Sequence, residues 1–338
     1  MRWDAQVIDA EASDALPGLA RLANLVRSVR TPEFEGITFH EVAAKSALNR
    51  VPDASRMPFR WTINPYRGCS HACAYCFART THEYLGLDAA RDFERELIVK
   101  VNLVEVLAAE LARPRWSREP VALGTNTDPY QRAEGRYRLM PGVIAALAAS
   151  GTPLSIVTKG TLLRRDLPLL ASAGRDVDVG VAVTIAIGDD ALQRSLEPGT
   201  PSVSARLATV KAVADAGLEP AVFISPVMPF LTDGDAHLDA LLDRAVDAGA
   251  RRVYYEILHL RGGVKGVFAE WMRRERPDLL PRYRELYGSG AYVADEYRAA
   301  TTARVRAAIE ARGLDRGPFR HEPEDSRPAP ASALPTLF

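Results

Sequence analysis

The chain has only three cysteines in 338 residues, and all three lie within eight positions: Cys69, Cys73 and Cys76, in Arg67-Gly-Cys-Ser-His-Ala-Cys-Ala-Tyr-Cys-Phe. Scattered at random, three residues would cluster this tightly with a probability on the order of one in a thousand. An odd number excludes a fully paired disulfide framework, and no second pair of thiols exists to close the usual four-ligand zinc site. His71 or His82 can complete a three-cysteine, one-histidine zinc site, so that alternative stays open; otherwise His71 reads as a loop histidine beside the thiols.

Net charge is also lacking. Lysine plus arginine and aspartate plus glutamate number 43 each, so no global field draws the chain to nucleic acid or to an anionic membrane, although local basic patches remain open. No apolar run approaches the roughly 20 residues of a membrane helix, and the start, Met1-Arg-Trp-Asp-Ala-Gln-Val-Ile-Asp, has no signal-peptide core. The expectation is a cytoplasmic protein with no membrane partner, which suits reduced thiols. No internal repeat is seen. With 47% hydrophobic residues the chain can bury a substantial core.

Three thiolates at spacings of four and three converge on one centre only if the backbone wraps it as an irregular loop. An iron–sulfur cluster has four irons that normally take four thiolates, so three would leave one iron open. The Cx3Cx2C pattern, with Tyr75 just before its last cysteine, resembles the radical S-adenosylmethionine (SAM) superfamily. The resemblance implies a [4Fe-4S] cluster on Cys69, Cys73 and Cys76, SAM on the open iron, Tyr75 beside the adenine, and an electron donor such as flavodoxin or ferredoxin. Read without the resemblance, Tyr75 is a half-buried loop aromatic.

Around this loop the patterning predicts an α/β protein. Strand-like runs recur at Phe59–Asn64, Val121–Thr125, Leu154–Thr158, Val179–Ile187, Ala221–Val227 and Val253–Leu260. Helical faces lie between them: Leu139, Val143, Ile144 and Leu147; Leu207, Val210 and Ala214 after a Thr200-Pro201 start; and Leu238, Leu241, Leu242 and Ala245. Strands separated by helices imply right-handed crossovers and a parallel sheet. Six units fit the partial, open (β/α)6 barrel that the resemblance implies, with ligands at the carboxyl ends of the strands. The expected organisation is an N-terminal extension (1–58), the core barrel (59–267), a C-terminal helical cap (268–315) and a Pro-rich disordered tail (316–338). In the cap region Trp271, Tyr283, Tyr287, Tyr292 and Tyr297 read as ordinary helix packing, with substrate stacking as the alternative.

Further segments resemble the spore-photoproduct-lyase-like branch of the superfamily, in particular uncharacterised actinobacterial members: Asn64-Pro-Tyr-Arg-Gly-Cys-Ser-His, Gly124-Thr-Asn-Thr-Asp-Pro-Tyr-Gln, Thr158-Lys-Gly, Glu197-Pro-Gly-Thr-Pro with Arg206, and Leu260-Arg-Gly-Gly-Val. The Gly124, Thr125, Asn126 and Thr127 segment suits a SAM-contacting edge, since glycine permits close backbone approach and the polar residues offer hydrogen bonds. It is also ordinary turn chemistry. The resemblance implies SAM contacts from Thr127 and Lys159 and places the Thr184 hydroxyl near the ribose. For Lys159 the alternative is a solvated loop cation. Glu197 and Arg206 either touch SAM or pair as scaffolding. Photoproduct lyase uses a further cysteine near the end of strand two as hydrogen donor. This chain has none, so neither that repair reaction nor a cysteine-ligated second cluster carries over.

Three functions follow for comparison. One is a radical SAM enzyme abstracting hydrogen from an unidentified substrate. The second is a nucleic-acid repair or modification protein of the photoproduct-lyase-like type, and the third a zinc-stapled, non-catalytic interaction domain.

Overall fold

A computed structural model describes residues 8–9, 24–52, 55 and 57–314; the expected tail lies outside them. In chain order the strands are β1 (Ile8–Asp9), β2 (Leu25–Arg30), β3 (Thr38–Val42), β4 (Leu48–Arg50), β5 (Trp61–Ile63), β6 (Tyr66–Arg67), β7 (Glu96–Lys100), β8 (Val121–Leu123), β9 (Leu154–Thr158), β10 (Val179–Thr184), β11 (Pro220–Val227) and β12 (Arg252–Ile257).

The six runs expected to be strands form one sheet in the order β5-β8-β9-β10-β11-β12, with every neighbour parallel. β4 adds antiparallel to β5 at one edge. β12 forms the other edge and β5 and β12 do not pair, so the sheet is open. The central strands are nearly continuous runs of apolar residues, as a sheet covered on both faces requires.

Two of the crossover helices bury the faces anticipated from their spacing, whereas Val203–Asp215 buries Val203, Arg206, Thr209, Val210 and Val213 and leaves the expected Leu207 and Ala214 half-buried. Leu139–Ala149 buries Leu139, Met140, Val143, Ile144 and Leu147, and Asp235–Asp247 buries Leu238, Leu241, Leu242 and Ala245. Each of the larger apolar side chains contributes roughly 1.5–3 kcal/mol on removal from water, and Ala245 less. Helix Val203–Asp215 starts later than Thr200-Pro201 suggests. Ser202 is its cap, its hydroxyl accepting from the Ala205 N–H at 3.2 Å, so Pro201 stands outside the first turn.

β1, β2 and β3, which precede β5, join β6 and β7, which follow it, in a second sheet of order β1-β2-β3-β7-β6. Its members β6 and β7 flank the cysteine loop in sequence, so this sheet buttresses that loop from behind. Residues 264–310 contribute three helices, Val264–Glu275, Leu280–Tyr287 and Asp295–Glu310. Trp271, Tyr283 and Tyr287 are buried and Tyr297 half-buried against the barrel core, whereas Tyr292 is exposed. Among the described residues no helix is long and apolar enough to cross a membrane.

Candidate active site

The residues singled out from sequence collect at the carboxyl ends of successive strands, where ligands bind in open α/β sheets. The cysteine loop follows β5 and β6, Gly124–Thr127 follows β8, Lys159 follows β9 and Thr184 ends β10; Glu197 and Arg206 lie in the crossover from β10 to β11.

The loop is held from every side by backbone bonds. Cys69 N–H donates to Phe93 O (2.9 Å), Ala74 N–H to Leu196 O (2.9 Å), and Gly199 N–H to His71 O (3.1 Å). A Cβ on Gly199 would stand 2.0 Å from Ser70 O, so only glycine lets the crossover dock there. Buried Gln131 clamps the loop's start, accepting from Ser70 N–H and donating to Gly68 O, both at 2.9 Å.

Arg79 is the main staple and was not anticipated from sequence. It is 2% exposed and lies over the Phe93 ring at 5.3 Å. Its guanidinium donates to the carbonyls of Cys73 (2.9 Å), Ala72 (3.0 Å), Ala89 (3.2 Å) and Ala90 (2.6 Å) and to Glu94 (2.9 Å). A buried arginine with an unusual wealth of carbonyl partners fixes the loop's shape.

Asp128, read from sequence as part of a turn, ties two strand ends together. It accepts from Thr158 Oγ1 (2.5 Å), Lys159 N–H (2.6 Å) and Tyr130 N–H (2.8 Å), and its Oδ2 lies 3.4 Å from His71 Nδ1. Gly124, at φ +82°, lets these ends meet: a Cβ there would stand 1.9 Å from Val157 O. Thr125 and Asn126 are half-buried. The Thr127 hydroxyl donates to Tyr66 O at 2.7 Å, which commits it to the strand leading into the cysteine loop.

Beside the loop stands a buried polar cluster. Tyr75 donates its hydroxyl to Glu197. Glu197 pairs with Arg206 Nη2 at 2.8 Å, both side chains fully buried, and Lys159 Nζ lies 4.0 Å from the same carboxylate and 5.7 Å from the Tyr75 ring centre. Arg206 also donates to Thr184 O at 3.1 Å, and the Thr184 side chain is buried. Burial alone would raise the Glu197 pKa, but Arg206 and Lys159 outweigh it and hold the carboxyl below its ordinary range. The scaffolding alternative for Glu197 and Arg206 is therefore present as a direct ion pair, with Tyr75 and Lys159 gathered on it.

The three thiols suit a thiolate-ligated cluster. All are free, Cys69 and Cys73 buried and Cys76 half-buried. Burial, Asp128 and Cys76 push Cys69 up to about 12; Cys73 is raised well above its ordinary value by burial and Glu197, and Cys76 is raised by burial. Backbone N–H groups already address the sulfurs in the opposite sense: those of His71 and Asp128 favour thiolate at Cys69, those of Ala78 and Arg79 at Cys76. Such hydrogen bonds are the outer-shell contacts that tune iron–sulfur centres. Among the described residues no three His, Cys, Asp or Glu side chains form a ready single-ion site.

An open parallel sheet with a three-cysteine loop after its first strand and a buried cation–carboxylate cluster beside it is the arrangement of a radical SAM protein. The radical SAM superfamily model matches residues 63–245, more than half of the chain, and the chain belongs to that superfamily of enzymes. It is 55% identical over 342 residues to an uncharacterized protein of Mycobacterium tuberculosis (strain ATCC 25618 / H37Rv), covering 100% of both chains. It is 27% identical over 195 residues to an uncharacterized protein of Methanocaldococcus jannaschii, covering 57% of this chain and 69% of that one. Among solved structures it shares the fold of spore photoproduct lyase complexed with dinucleoside spore photoproduct, with a TM-score of 0.62, 20% identity and coverage of 82% of this chain and 80% of that one. A variant of that lyase with bound AdoMet and dinucleoside spore photoproduct matches with a TM-score of 0.63 at 18% identity over the same shares.

Proposed function

We propose that this protein holds a [4Fe-4S] cluster on Cys69, Cys73 and Cys76 and cleaves SAM reductively, generating a 5′-deoxyadenosyl radical that abstracts hydrogen from an organic substrate. The observation that carries this reading is the placement of the three thiols against the Tyr75, Glu197, Lys159 and Arg206 cluster. When bound, the cluster supplies the electron that breaks the sulfonium's carbon–sulfur bond.

The chain's own residues supply position and charge. Lys159 offers a point charge for the methionyl carboxylate and Glu197 an acceptor for its ammonium. Tyr75 is held by Glu197 so that its ring stays beside Lys159, ready to flank the adenine. Thr184 brings a hydroxyl to the end of β10 for the ribose. Arg206 keeps Glu197 ionised in a pocket that excludes water. The electron comes from an external one-electron donor of the flavodoxin or ferredoxin type in the reducing cytoplasm.

Anaerobic reconstitution with iron and sulfide, followed by SAM and dithionite, tests the reading. Expected are a brown protein with roughly four irons per chain and formation of 5′-deoxyadenosine. A colourless protein with one zinc per chain, inert toward SAM, overturns it in favour of the zinc-stapled alternative.

A further inference from the structure

Six large hydrophobic side chains are exposed among the described residues, and the two aromatic ones, Phe77 (48%) and Tyr292 (42%), flank one histidine. The Phe77 and His259 rings lie 6.0 Å apart, and so do those of His259 and Tyr292. The Arg261 guanidinium lies 5.0 Å from the Tyr292 ring centre. His259 Nδ1 is buried and has no hydrogen-bond partner.

This strip is built rather than accidental, because three segments far apart in sequence are pinned to make it. Phe77 follows Cys76 directly and opens the 3-10 helix Phe77–Leu85. His259 and Arg261 follow β12, the last strand of the sheet, and Tyr292 comes from the connection between the last two helices. Leu260 N–H donates to Ala291 O at 2.8 Å, and the Tyr287 hydroxyl donates to Leu258 O at 2.7 Å. Lys265 Nζ donates to Gly288 O (2.9 Å) and Gly290 O (2.8 Å). The strip thus runs from the cysteine loop, after the first parallel strand, to the end of the sixth, across the gap where the sheet is open.

We propose that the Phe77–His259–Tyr292 strip with Arg261 is the surface that presents substrate to the active site, and that its occupant is a base of single-stranded nucleic acid. The inference rests on the radical SAM reading above and names its substrate class. A row of exposed rings stacks planar groups whatever their sequence. Arg261 makes no ion pair within 4 Å among the described residues; Glu256 feels its charge only at longer range, which leaves the guanidinium without a direct carboxylate partner and open to a phosphate. The His259 ring, set between Phe77 and Tyr292, adds a further planar face to the strip.

The test measures anisotropy of fluorescein-labelled 12-mers of single-stranded DNA and RNA, with the matching duplexes, on anaerobically reconstituted protein at several salt concentrations. Single strands are expected to bind better than duplexes. Phe77→Ala and Tyr292→Ala should each weaken binding roughly 5- to 100-fold. Phe77→Leu, which keeps apolar bulk but no ring, should weaken it nearly as much. Arg261→Gln should lower the slope of log K against log salt by about 0.7–1. Melting temperatures of the variants separate loss of contact from loss of fold; both aromatic positions are exposed enough for a folded protein.

Single strands that do not bind wild type at low salt, or that bind the ring variants equally well, overturn the proposal. So does adenosine monophosphate competing as well as an oligonucleotide. Ring variants that bind oligonucleotide normally yet lose reduction by flavodoxin also overturn it and make the strip a reductant-docking face. Formation of 5′-deoxyadenosine by wild type without oligonucleotide is the separate readout. Its absence alongside intact strand binding overturns the radical reading and leaves the strip standing, whereas its presence without strand binding overturns the strip alone.

Discussion

Arg206 and Glu197 meet at 2.8 Å with neither side chain exposed to water. The pair joins the helix Val203–Asp215 to the crossover that docks on the cysteine loop, and Tyr75 shares the same carboxylate. Attraction between buried charges is offset by their desolvation, but removing one partner strands the other. Arg206→Met and Glu197→Gln are therefore each expected to cost about 3–5 kcal/mol in urea unfolding. The double variant should cost clearly less than the sum of the two, because it strands no charge. Additive losses would mean that the two side chains act separately.

Arg79 should matter for cluster retention through the loop backbone that its side chain holds rather than through a side-chain bond to the thiols themselves. Its bonds to the Cys73 and Ala72 carbonyls shape the turn that aims the thiols. Lysine has the charge but not the fork, so it cannot reach carbonyls on both sides of the loop. Arg79→Lys is expected to lose most of its iron on gel filtration under anaerobic conditions, and hydrogen exchange of the amides of residues 69–79 should speed up. Wild-type iron content in Arg79→Lys would show that the loop holds its shape without the fork.

The six parallel strands were legible because each is a short apolar run bounded by turn residues, and the cysteine loop because three thiols in eight residues point to a ligand they share. The crossover helices were legible from apolar spacing, as at Leu238, Leu241, Leu242 and Ala245. Arg79 and Gln131 were not, because their partners are mainly backbone carbonyls and amides, which leave no mark on sequence. Asp128 read as a turn residue since its distant partners, Thr158 and His71, come together only once β8 and β9 lie side by side. Thr127, which the resemblance gave as a SAM contact, also donates its hydroxyl to Tyr66 O, a backbone partner that leaves no mark on sequence. The aromatic strip lay beyond reach for the same reason: more than 180 positions separate Phe77 from His259.

Lys159 Nζ lies 5.7 Å from the Tyr75 ring centre, and its alternative as a solvated loop lysine is disfavoured by a side chain only 14% exposed. If it meets the SAM carboxylate, Lys159→Met should raise the dissociation constant for SAM about tenfold or more, equivalent to about 1.5–3 kcal/mol for a hydrogen bond to a charged group. Isothermal titration with SAM on reconstituted protein is the measurement. Iron content should stay near wild type, since Lys159 makes no side-chain bond to the loop backbone among the described residues. Unchanged SAM affinity would assign the carboxylate to another cation.

Lys100 offers a pH test of the second sheet. Burial, with a smaller push from Arg67 and an opposing pull from Glu110, lowers its pKa to about 8 from 10.5. The unfolded chain then holds the proton more tightly than the folded one, so below pH 8 the folded state carries the full penalty of a poorly solvated ammonium. As pH rises from about 8 towards 10.5 the folded protein sheds that proton while the unfolded chain keeps it, and this contribution to stability increases. Lys100→Met removes the penalty while keeping an unbranched side chain of nearly the same reach. At pH 7 it is expected to stabilise the protein by up to about 3 kcal/mol, and its advantage over wild type should shrink steadily between about pH 8 and 10. Urea melts of both proteins at about pH 7, 8, 9 and 10 give the comparison. A constant difference across that range, or a less stable variant at neutral pH, would mean that the folded protein solvates the Lys100 ammonium as well as water does.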